Sequence, residues 1–229
     1  MKKAVMIVSG GLDSATMLYR EEFKYSTFVL TFDYSQRHRK EIECAKKLCN
    51  NLGLPHKIVD ITSINEFISK GSLSGNEPVP FGHYASENMK KTIVPNRNMI
   101  LLAIAVGYAA TIEAEKVLYG AHTGDATIYP DCRKEFIKAI DSAVFLGNLW
   151  ENNGKSIEII TPLIDLTKSE IVALGMKVNV PYKNTWTCYS GKEKACGKCG
   201  SCVERIEAFK LNGLIDPIEY EIEIDWSKR

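Results

Sequence analysis

The chain has 229 residues, of which 45% are hydrophobic and 25% are charged, and its formal net charge is +1. That length can bury one full core, the near-zero net charge gives no overall attraction to nucleic acid, and no stretch is long and apolar enough to span a membrane. Seven cysteines without an export signal argue against a disulfide framework. We therefore expect a cytoplasmic protein that binds neither a membrane nor nucleic acid directly.

A glycine turn lies between the first predicted strand, at 4–8, and a helix predicted from Ala15. The turn, at 9–14, has the sequence Ser-Gly-Gly-Leu-Asp-Ser. Its glycines let the backbone approach an anion, and the helix that follows offers free N–H groups, so the arrangement is typical of a phosphate-binding loop. The common P-loop needs Lys and then Ser or Thr after its second glycine, where this loop has Leu12 and Asp13. An ordinary strand–helix turn with an Asp or Ser N-cap is the alternative.

Strands and helices alternate along the rest of the chain. Further strands are predicted at 28–33, 56–61, 117–121 and 157–163, and helices at 39–52, 97–115, 134–146 and 167–175. Such alternation predicts a parallel sheet with right-handed crossovers. We expect an α/β fold with a parallel five-stranded sheet flanked by helices, of Rossmann-like type. Thr167 and Glu170 have the spacing of a capping box at the start of the last of these helices.

Two features interrupt this regular pattern. The segment 62–91 has no clear periodicity and contains several glycines and prolines, which predicts a lid or partner-contacting loop, although a simple insertion fits equally well. Arg97 opens an apolar helix and so lies at the edge of the core, where an unpaired cation is costly. A ligand that carries a phosphate or carboxylate would neutralise the Arg97 cation, and an internal salt bridge is the alternative.

Polar residues cluster where predicted strands end. In open parallel sheets, ligands bind beyond the carboxyl ends of the strands. Clusters at 9–14, 33–36, 122–125 and 131–133 fall in that region. The sequence therefore predicts one site that gathers these clusters, although His122 alone could equally be a structural histidine.

Four of the seven cysteines lie close together in the sequence: Cys188, Cys196, Cys199 and Cys202. Four thiolates can close a tetrahedral Zn²⁺ site and leave no open position for catalysis, so we expect one structural zinc that fastens the C-terminal segment. Gly197 and Gly200 each follow a cysteine, where we expect turns with positive φ. An iron–sulfur cluster is the rival, because 196–202 matches part of a ferredoxin pattern, but Ile206 stands where the next ligand would fall.

The loop at 9–14 resembles that of the N-type ATP pyrophosphatases, which cleave ATP between the α- and β-phosphates and transfer AMP to an oxygen of the substrate. Nearly the whole chain resembles one family within that group, the 7-cyano-7-deazaguanine synthases of the queuosine pathway. The resemblance rests on SGGLDS at 9–14, FDYSQRH at 32–38, VPNRN at 94–98, YPDCR at 129–133 with Phe136, TPLIDLTKSEI at 161–171, TWTCY at 185–189 and CGKCGSC at 196–202 with Arg205.

This resemblance implies an activity: 7-carboxy-7-deazaguanine, ammonia and ATP give 7-cyano-7-deazaguanine through an adenylated carboxylate and an adenylated amide. It also implies a homodimer, an ATP pyrophosphatase domain over 1–183, and a zinc-binding segment over 184–229 packed on that domain. The implied ligands of ATP, bound with Mg²⁺, are Val8, Ser9, Gly10, Gly11, Leu12, Asp13 and Ser14. The implied catalytic residues are Asp13, Ser14, Arg97 and Arg133. The implied substrate residues are Tyr34, His122, Asp125, Asp131 and Arg133.

Two other functions remain as alternatives. A tRNA-thiolating enzyme of the same superfamily would need a catalytic cysteine near the loop, and Cys132 is the candidate, but the near-neutral charge argues against a tRNA-binding surface. A zinc module that binds nucleic acid or protein without ATP would use Lys192, Lys194 and Lys198. That function would leave the loop at 9–14 without a role.

Overall fold

The computed structural model describes residues 1–69, 71–75, 77–148 and 156–227. Within these residues, five strands form one sheet in the order β3-β2-β1-β4-β5, and every neighbouring pair is parallel. The strands are β1 Lys3–Ile7, β2 Ser26–Asp33, β3 His56–Asp60, β4 Lys116–Leu118 and β5 Glu158–Ile160. The helices are α1 Leu12–Glu21, α2 Lys40–Leu52, α3 Asn65–Ile68, α4 Arg97–Thr111, α5 Lys134–Gly147, α6 Lys168–Lys177 and α7 Gly200–Leu211. The predicted parallel five-stranded sheet flanked by helices is confirmed.

Helices cover both faces of the sheet, because side chains alternate along the central strand β1. Ala4 and Met6 belong to a core shared with α1, α2, α6 and α7. Val5 belongs to a second core, shared with α4 and α5. With both faces covered, the open edge at the carboxyl ends of the strands is left for a ligand.

Strands β4 and β5 are shorter than their sequence pattern indicates. They end at Leu118 and Ile160, although Tyr119 N still donates to Ile160 O at 3.2 Å. The next residue, Gly120, leaves the sheet and packs against the phosphate loop, where an added Cβ would lie 3.4 Å from Ser14 Cα. Two helix bounds also differ from prediction: α1 already begins at Leu12, and α4 ends at Thr111 rather than 115.

Several described residues of the segment 62–91 pack onto the domain, among them Ile68, Leu73 and Met89. It contains α3 and a short 3-10 helix at Glu87–Thr92. Leu73 is buried and lines the cavity described below, and Ser72 N donates to Lys91 O at 2.8 Å. Part of this segment therefore forms a wall of the cavity.

The predicted capping box at the start of α6 is confirmed. Glu170 N donates to Thr167 Oγ1 at 3.3 Å, and Thr167 N donates to Glu170 Oε2 at 2.8 Å. This reciprocal pair fixes where α6 begins. Lys168 is the first residue of α6, and its side chain extends to Asp13 in the phosphate loop.

Candidate active site and metal centre

The phosphate loop is held in one conformation by its neighbours on both sides. Gly10 has φ of 95°, and an added Cβ would collide with the carbonyl oxygen of Glu41 in α2. Its own carbonyl oxygen accepts a hydrogen bond from Trp186 N at 3.0 Å. Only glycine satisfies both the backbone conformation and the close approach.

Serine hydroxyls cover the N–H groups of the loop. Gly10 N donates to Ser14 Oγ at 3.2 Å, Gly11 N donates to Ser9 Oγ at 3.1 Å, and the two hydroxyls are 3.2 Å apart. The N-cap residue of α1 is Gly11, which has no side chain to cap the helix. The N-terminus of α1 is therefore available to an anion, and the hydroxyls can turn to bind it as well.

A cavity of about 210 Å³ opens above the loop, at the carboxyl ends of β1, β2 and β4. Its walls come from the loop, from α2 and α4, from segments after β2 and β4, and from the C-terminal part of the chain. The lining residues are Ile7, Val8, Ser9, Gly11, Asp13, Ser14, Phe32, Tyr34, Gln36, His38, Glu41, Leu73, Arg97, Asn98, Leu101, Tyr119, Gly120, Ala121, Asp125, Tyr129, Cys132, Lys168, Thr187, Tyr189, Ser201 and Glu204.

One flank of the cavity is a cluster of charges around Asp13. Lys168 Nζ lies 2.7 Å from Asp13 Oδ2 and 3.1 Å from Glu204 Oε2. His122 Nε2 lies 3.4 Å from Asp125 Oδ2 and 3.9 Å from Asp13 Oδ2. Burial opposes ionisation of Asp13, but Lys168 and His122 overcome it and lower the pKa of the carboxyl. Asp13 is therefore ionised at neutral pH.

Two polar atoms on this flank are buried without a hydrogen-bond partner among the described residues: Asp13 Oδ1 and His122 Nε2. Carboxylate oxygens are the ligands that Mg²⁺ prefers, and Asp125 supplies a second carboxylate in the same wall. The donor set thus fits a hard cation bound together with phosphate oxygens. His122 Nδ1 accepts a hydrogen bond from Gly124 N at 3.1 Å, which leaves the proton of the neutral ring on Nε2.

The other flank is formed by Arg97, Tyr34, His38 and Glu41. Burial disfavours the Arg97 cation, but nearby Tyr34 and Asp131 raise its pKa further above the ordinary range. Burial raises the pKa of Glu41 to about 8, against an opposing effect of Arg97. Burial and then Arg97 lower the pKa of His38 to about 4. This flank therefore holds a permanent cation beside two groups that are neutral near pH 7.

The structure brings most of the sequence-predicted site residues to this cavity. Lining residues from that set are Val8, Ser9, Gly11, Asp13, Ser14, Tyr34, Arg97 and Asp125. Gly10, Leu12 and His122 lie behind the wall: Gly10 shapes the loop, Leu12 is in the core, and His122 contacts Asp13 and Asp125.

Two further predicted residues lie away from the lining. Asp131 Oδ2 accepts a hydrogen bond from Asn98 N at 3.1 Å, so this carboxylate stabilises the N-terminal turn of α4. Arg133 is exposed, and its Nε donates to Ala126 O at 3.0 Å. Their expected contact with a substrate stays a prediction.

Sequence reasoning missed Lys168, Glu204 and Glu41 as cavity residues. Lys168 was given no site role, although it lies in the capping-box segment and in the motif at 161–171; its neighbour in space is Asp13, 155 residues away in sequence. Glu204 follows the cysteine cluster on α7, and Glu41 opens an amphipathic helix. The available signal was proximity to a motif of the family resemblance: Lys168 lies inside the motif at 161–171, Glu204 follows the one at 196–202, and Glu41 follows the one at 32–38.

The four clustered cysteines are arranged so that they could hold a metal ion. Their Sγ atoms all lie within 4.8 Å of one another and are buried, and Cys196 and Cys202 Sγ are 3.9 Å apart. Tetrahedral thiolates at a Zn–S distance of about 2.3 Å would be separated by about 3.8 Å. Backbone N–H groups of Cys196 and Ser190 point at Cys188 Sγ, at 3.2 and 3.4 Å, as suits a thiolate.

The expected turn at Gly197 is observed, with φ of 69°. The same expectation for Gly200 is wrong, because Gly200 is the first residue of α7 and has no positive φ. The missing side chain of Gly200 instead lets Met89 pack against the start of α7, since an added Cβ would lie 2.7 Å from Met89 Sδ. The metal site thereby packs against the segment 62–91.

A family model described as "Queuosine biosynthesis protein QueC" matches residues 3–213, a span that includes both the loop and the four cysteines. The chain belongs to the QueC family. It is 49% identical to the 7-cyano-7-deazaguanine synthase of Marinomonas sp. (strain MWYL1) over 221 residues, which cover 96% of this chain and 99% of the relative. It is 48% identical to the synthase of the same name from Caldicellulosiruptor saccharolyticus over 228 residues, which cover 99% of each chain.

Membership in the QueC family is consistent with the fold seen in solved structures. The NMN synthetase from Francisella tularensis superposes with a TM-score of 0.50 at 15% identity, over 93% of this chain and 77% of that one. At that identity the likeness concerns the fold alone. Among the described residues, no helix is long and apolar enough to cross a bilayer. The QueC family thus places the loop, the cavity and the cysteine site in an enzyme.

Proposed function

We propose that this QueC-family enzyme converts 7-carboxy-7-deazaguanine and ammonia into 7-cyano-7-deazaguanine with ATP, in queuosine biosynthesis. The observation that carries the proposal is near-full-length identity of about one half to synthases of that name, joined to a phosphate loop that opens into a charged cavity.

The reaction requires the carboxyl carbon of the substrate to be activated twice, each time by adenylation of the oxygen bound to it. A carboxylate is a poor electrophile, because oxide would have to leave. Attack of its oxygen on the α-phosphorus of ATP releases pyrophosphate and gives an acyl adenylate, from which ammonia displaces AMP to form the amide. Adenylation of the amide oxygen followed by loss of AMP gives the nitrile. One cavity can run both rounds, since each activates an oxygen on the same carbon.

The two flanks divide this work. The N-terminus of α1 and the hydroxyls of Ser9 and Ser14 bind the phosphates, and Lys168 adds a cation that neutralises charge on the departing pyrophosphate. Asp13 and Asp125 would hold Mg²⁺, which when bound supplies further charge neutralisation.

On the opposite flank, Arg97 would bind the substrate carboxylate, and Tyr34 lies beside it to contact the flat base. His122 supports Asp13 and Asp125 from behind. Asp131 would position the start of α4, and with it Arg97. Arg133 would reach the substrate only by a change of side-chain conformation, so an Arg133→Ala variant with unchanged kcat/KM would remove it from the site.

The cysteine site would hold one structural Zn²⁺, since four thiolates leave no open position for catalysis. Residues 184–229 would pack on the α/β domain of 1–183 as one unit. The hydrogen bond from Trp186 N to Gly10 O and the contribution of Glu204 to the cavity support this arrangement. We also propose that the enzyme is a cytoplasmic homodimer that acts on small molecules rather than on tRNA itself.

A tRNA-thiolating activity has less support. Cys132 lines the cavity, but burial raises the pKa of its thiol, and a thiol that stays protonated is a poor nucleophile. A zinc module without ATP would leave the charged cavity unexplained. Lys192 and Lys194 form exposed ion pairs with Glu221 and Glu219, so these lysines do not form a free basic surface.

The decisive experiment supplies 7-carboxy-7-deazaguanine, ATP, Mg²⁺ and ammonium to the purified enzyme. The expected products are the nitrile, detected by mass, together with AMP and pyrophosphate. An Asp13→Asn variant should lose all three products, and a Cys132→Ser variant should keep them. ATP consumption that is the same without the carboxylate would refute the proposal.

A further inference from the structure

Glu41 is a buried carboxyl group in the wall of the cavity, next to the phosphate loop. Its Oε1 lies 3.8 Å from the point where a Cβ on Gly11 would stand. Its backbone carbonyl packs against Gly10. The residue therefore contacts the loop with both its backbone and its side chain.

The other cavity carboxylates already have partners. Asp13 and Glu204 share Lys168, and Asp125 lies 3.4 Å from His122. Among the described residues, Glu41 has no ion pair to a lysine or arginine within 4 Å, and its nearest ionisable partner is His38 Nε2 at 3.8 Å. Glu41 is thus the carboxyl group of this cavity that is free to exchange a proton.

Glu41 also lies on the side of the loop where the reacting carbon is expected. It lines the same cavity as Arg97, the proposed partner of the substrate carboxylate, and its Oε1 lies beside Gly11 of the loop. In an acyl adenylate, a single oxygen joins the acyl carbon to the α-phosphorus. A group placed between the loop and Arg97 is therefore within reach of an amine that attacks that carbon.

Resting on the function proposed above, we propose that Glu41 is the general base that accepts the nitrogen protons released as ammonia becomes the amide and then the nitrile. In the first step, the lone pair of ammonia forms the C–N bond, the C–O bond to AMP breaks with its electron pair leaving on AMP, and one N–H proton moves to Glu41. In the second, the amide nitrogen gives up both of its protons. One moves to Glu41 and on to water as the adenylated amide becomes a neutral imidate, and the other moves to Glu41 as the C–O bond to AMP breaks, with its electron pair leaving on AMP, and the C≡N bond forms. Water takes the proton from Glu41 between rounds.

The electrostatics of the site suit this role. A carboxylate with an ordinary pKa is a weak base at neutral pH, whereas burial raises the pKa of Glu41 to about 8. A base whose pKa lies near the working pH combines useful strength with a sufficient ionised fraction. The protonated form would also avoid repulsion with the phosphates of ATP during adenylation.

The test separates adenylation from amine attack. Carboxylate-dependent exchange of labelled pyrophosphate into ATP measures adenylation alone, and nitrile formation with ammonium measures the whole reaction. Glu41→Gln keeps the shape of the side chain and removes the base. It should retain exchange within about 3-fold and lose nitrile formation by about 10²- to 10⁴-fold. Hydroxylamine, whose nitrogen is a weaker base than ammonia and sheds its proton to water more readily, should still trap the adenylate as the hydroxamate.

Glu43→Gln is the matched control, because Glu43 is on the same helix but exposed and paired with Lys46. It should change neither assay. Equal loss of exchange and nitrile formation in Glu41→Gln, or no loss of either, would overturn the proposal. Should Glu41→Gln not fold, Glu41→Asp retracts the carboxyl group by one methylene and should show the same split to a lesser degree. A wild-type enzyme without carboxylate-dependent exchange would instead refute the proposed function, and the role of Glu41 with it.

Discussion

Replacing Asp216 with Asn should destabilise the enzyme strongly, because it leaves the Arg205 cation buried and unpaired. Arg205 is 1% exposed, and its Nε and Nη2 donate to the two carboxylate oxygens of Asp216 at 2.6 and 2.9 Å. Its remaining N–H groups donate to Thr185 Oγ1 and Tyr182 O. Asn keeps the shape of Asp216 and removes the charge.

The expected loss is about 3–5 kcal/mol, the usual cost of breaking a buried ion pair by removing one partner. That is a large share of the roughly 5–15 kcal/mol that stabilises a typical folded domain. For a domain of this size it corresponds to a fall in Tm of about 6–20 °C. Urea unfolding followed by circular dichroism measures the loss directly.

Glu219→Gln provides the matched control, since Glu219 belongs to the same C-terminal segment but forms an exposed ion pair with Lys194 at 3.1 Å. Glu219→Gln should lower the free energy of unfolding by less than about 1 kcal/mol, as is usual for exposed ion pairs. A loss of stability in Asp216→Asn no greater than in Glu219→Gln would refute the view that this buried pair fastens the residues after α7 to that helix.

Three further outcomes are expected. Gly10→Ala should abolish ATP binding measured by calorimetry, because the added Cβ would collide with the backbone carbonyl of Glu41. Gly53→Ala is the control, since Gly53 also has positive φ but no atom lies near its Cβ position; it should cost only about 1–2 kcal/mol of stability and leave ATP binding unchanged. Metal analysis should find one zinc per chain, and Cys202→Ala should lower stability by at least about 4 kcal/mol and weaken ATP binding with it, since the metal segment adjoins the loop. Burial raises the pKa of Glu41 to about 8 in the folded protein, against 4.5 for the free group, so the folded protein keeps a proton that the unfolded chain releases. The free energy of unfolding should therefore fall as the pH rises from about 4.5 to about 8, and it should fall less in Glu41→Gln.

The sequence was sufficient for the fold because its signals are local. Alternating apolar segments predicted five parallel strands, and the glycine turn after β1 predicted a phosphate loop, which the structure places at the mouth of the cavity. The spacing of the cysteines likewise predicted a site whose sulfur atoms converge. Each of these patterns is set by residues near one another in the chain.

The contents of the cavity were harder to predict because they depend on side-chain direction. Arg133 belongs to one of the predicted polar clusters but lies at the surface, whereas Lys168, which was given no site role, reaches the loop. Glu41 resembles any acidic residue in the first turn of a helix, where it would favour the helix dipole. Its position beside Gly11 follows only from the packing of α2 on the loop.

The hydrogen bond from Trp186 N to Gly10 O has a consequence for biosynthesis of the chain. The loop leaves the ribosome well before its partners Lys168 and Trp186, which are translated more than 150 residues later. A nascent chain would therefore carry the whole loop sequence without a preformed nucleotide site. Competence to bind ATP should arise only after Trp186 has been translated, so products truncated before that residue would not sequester the nucleotide.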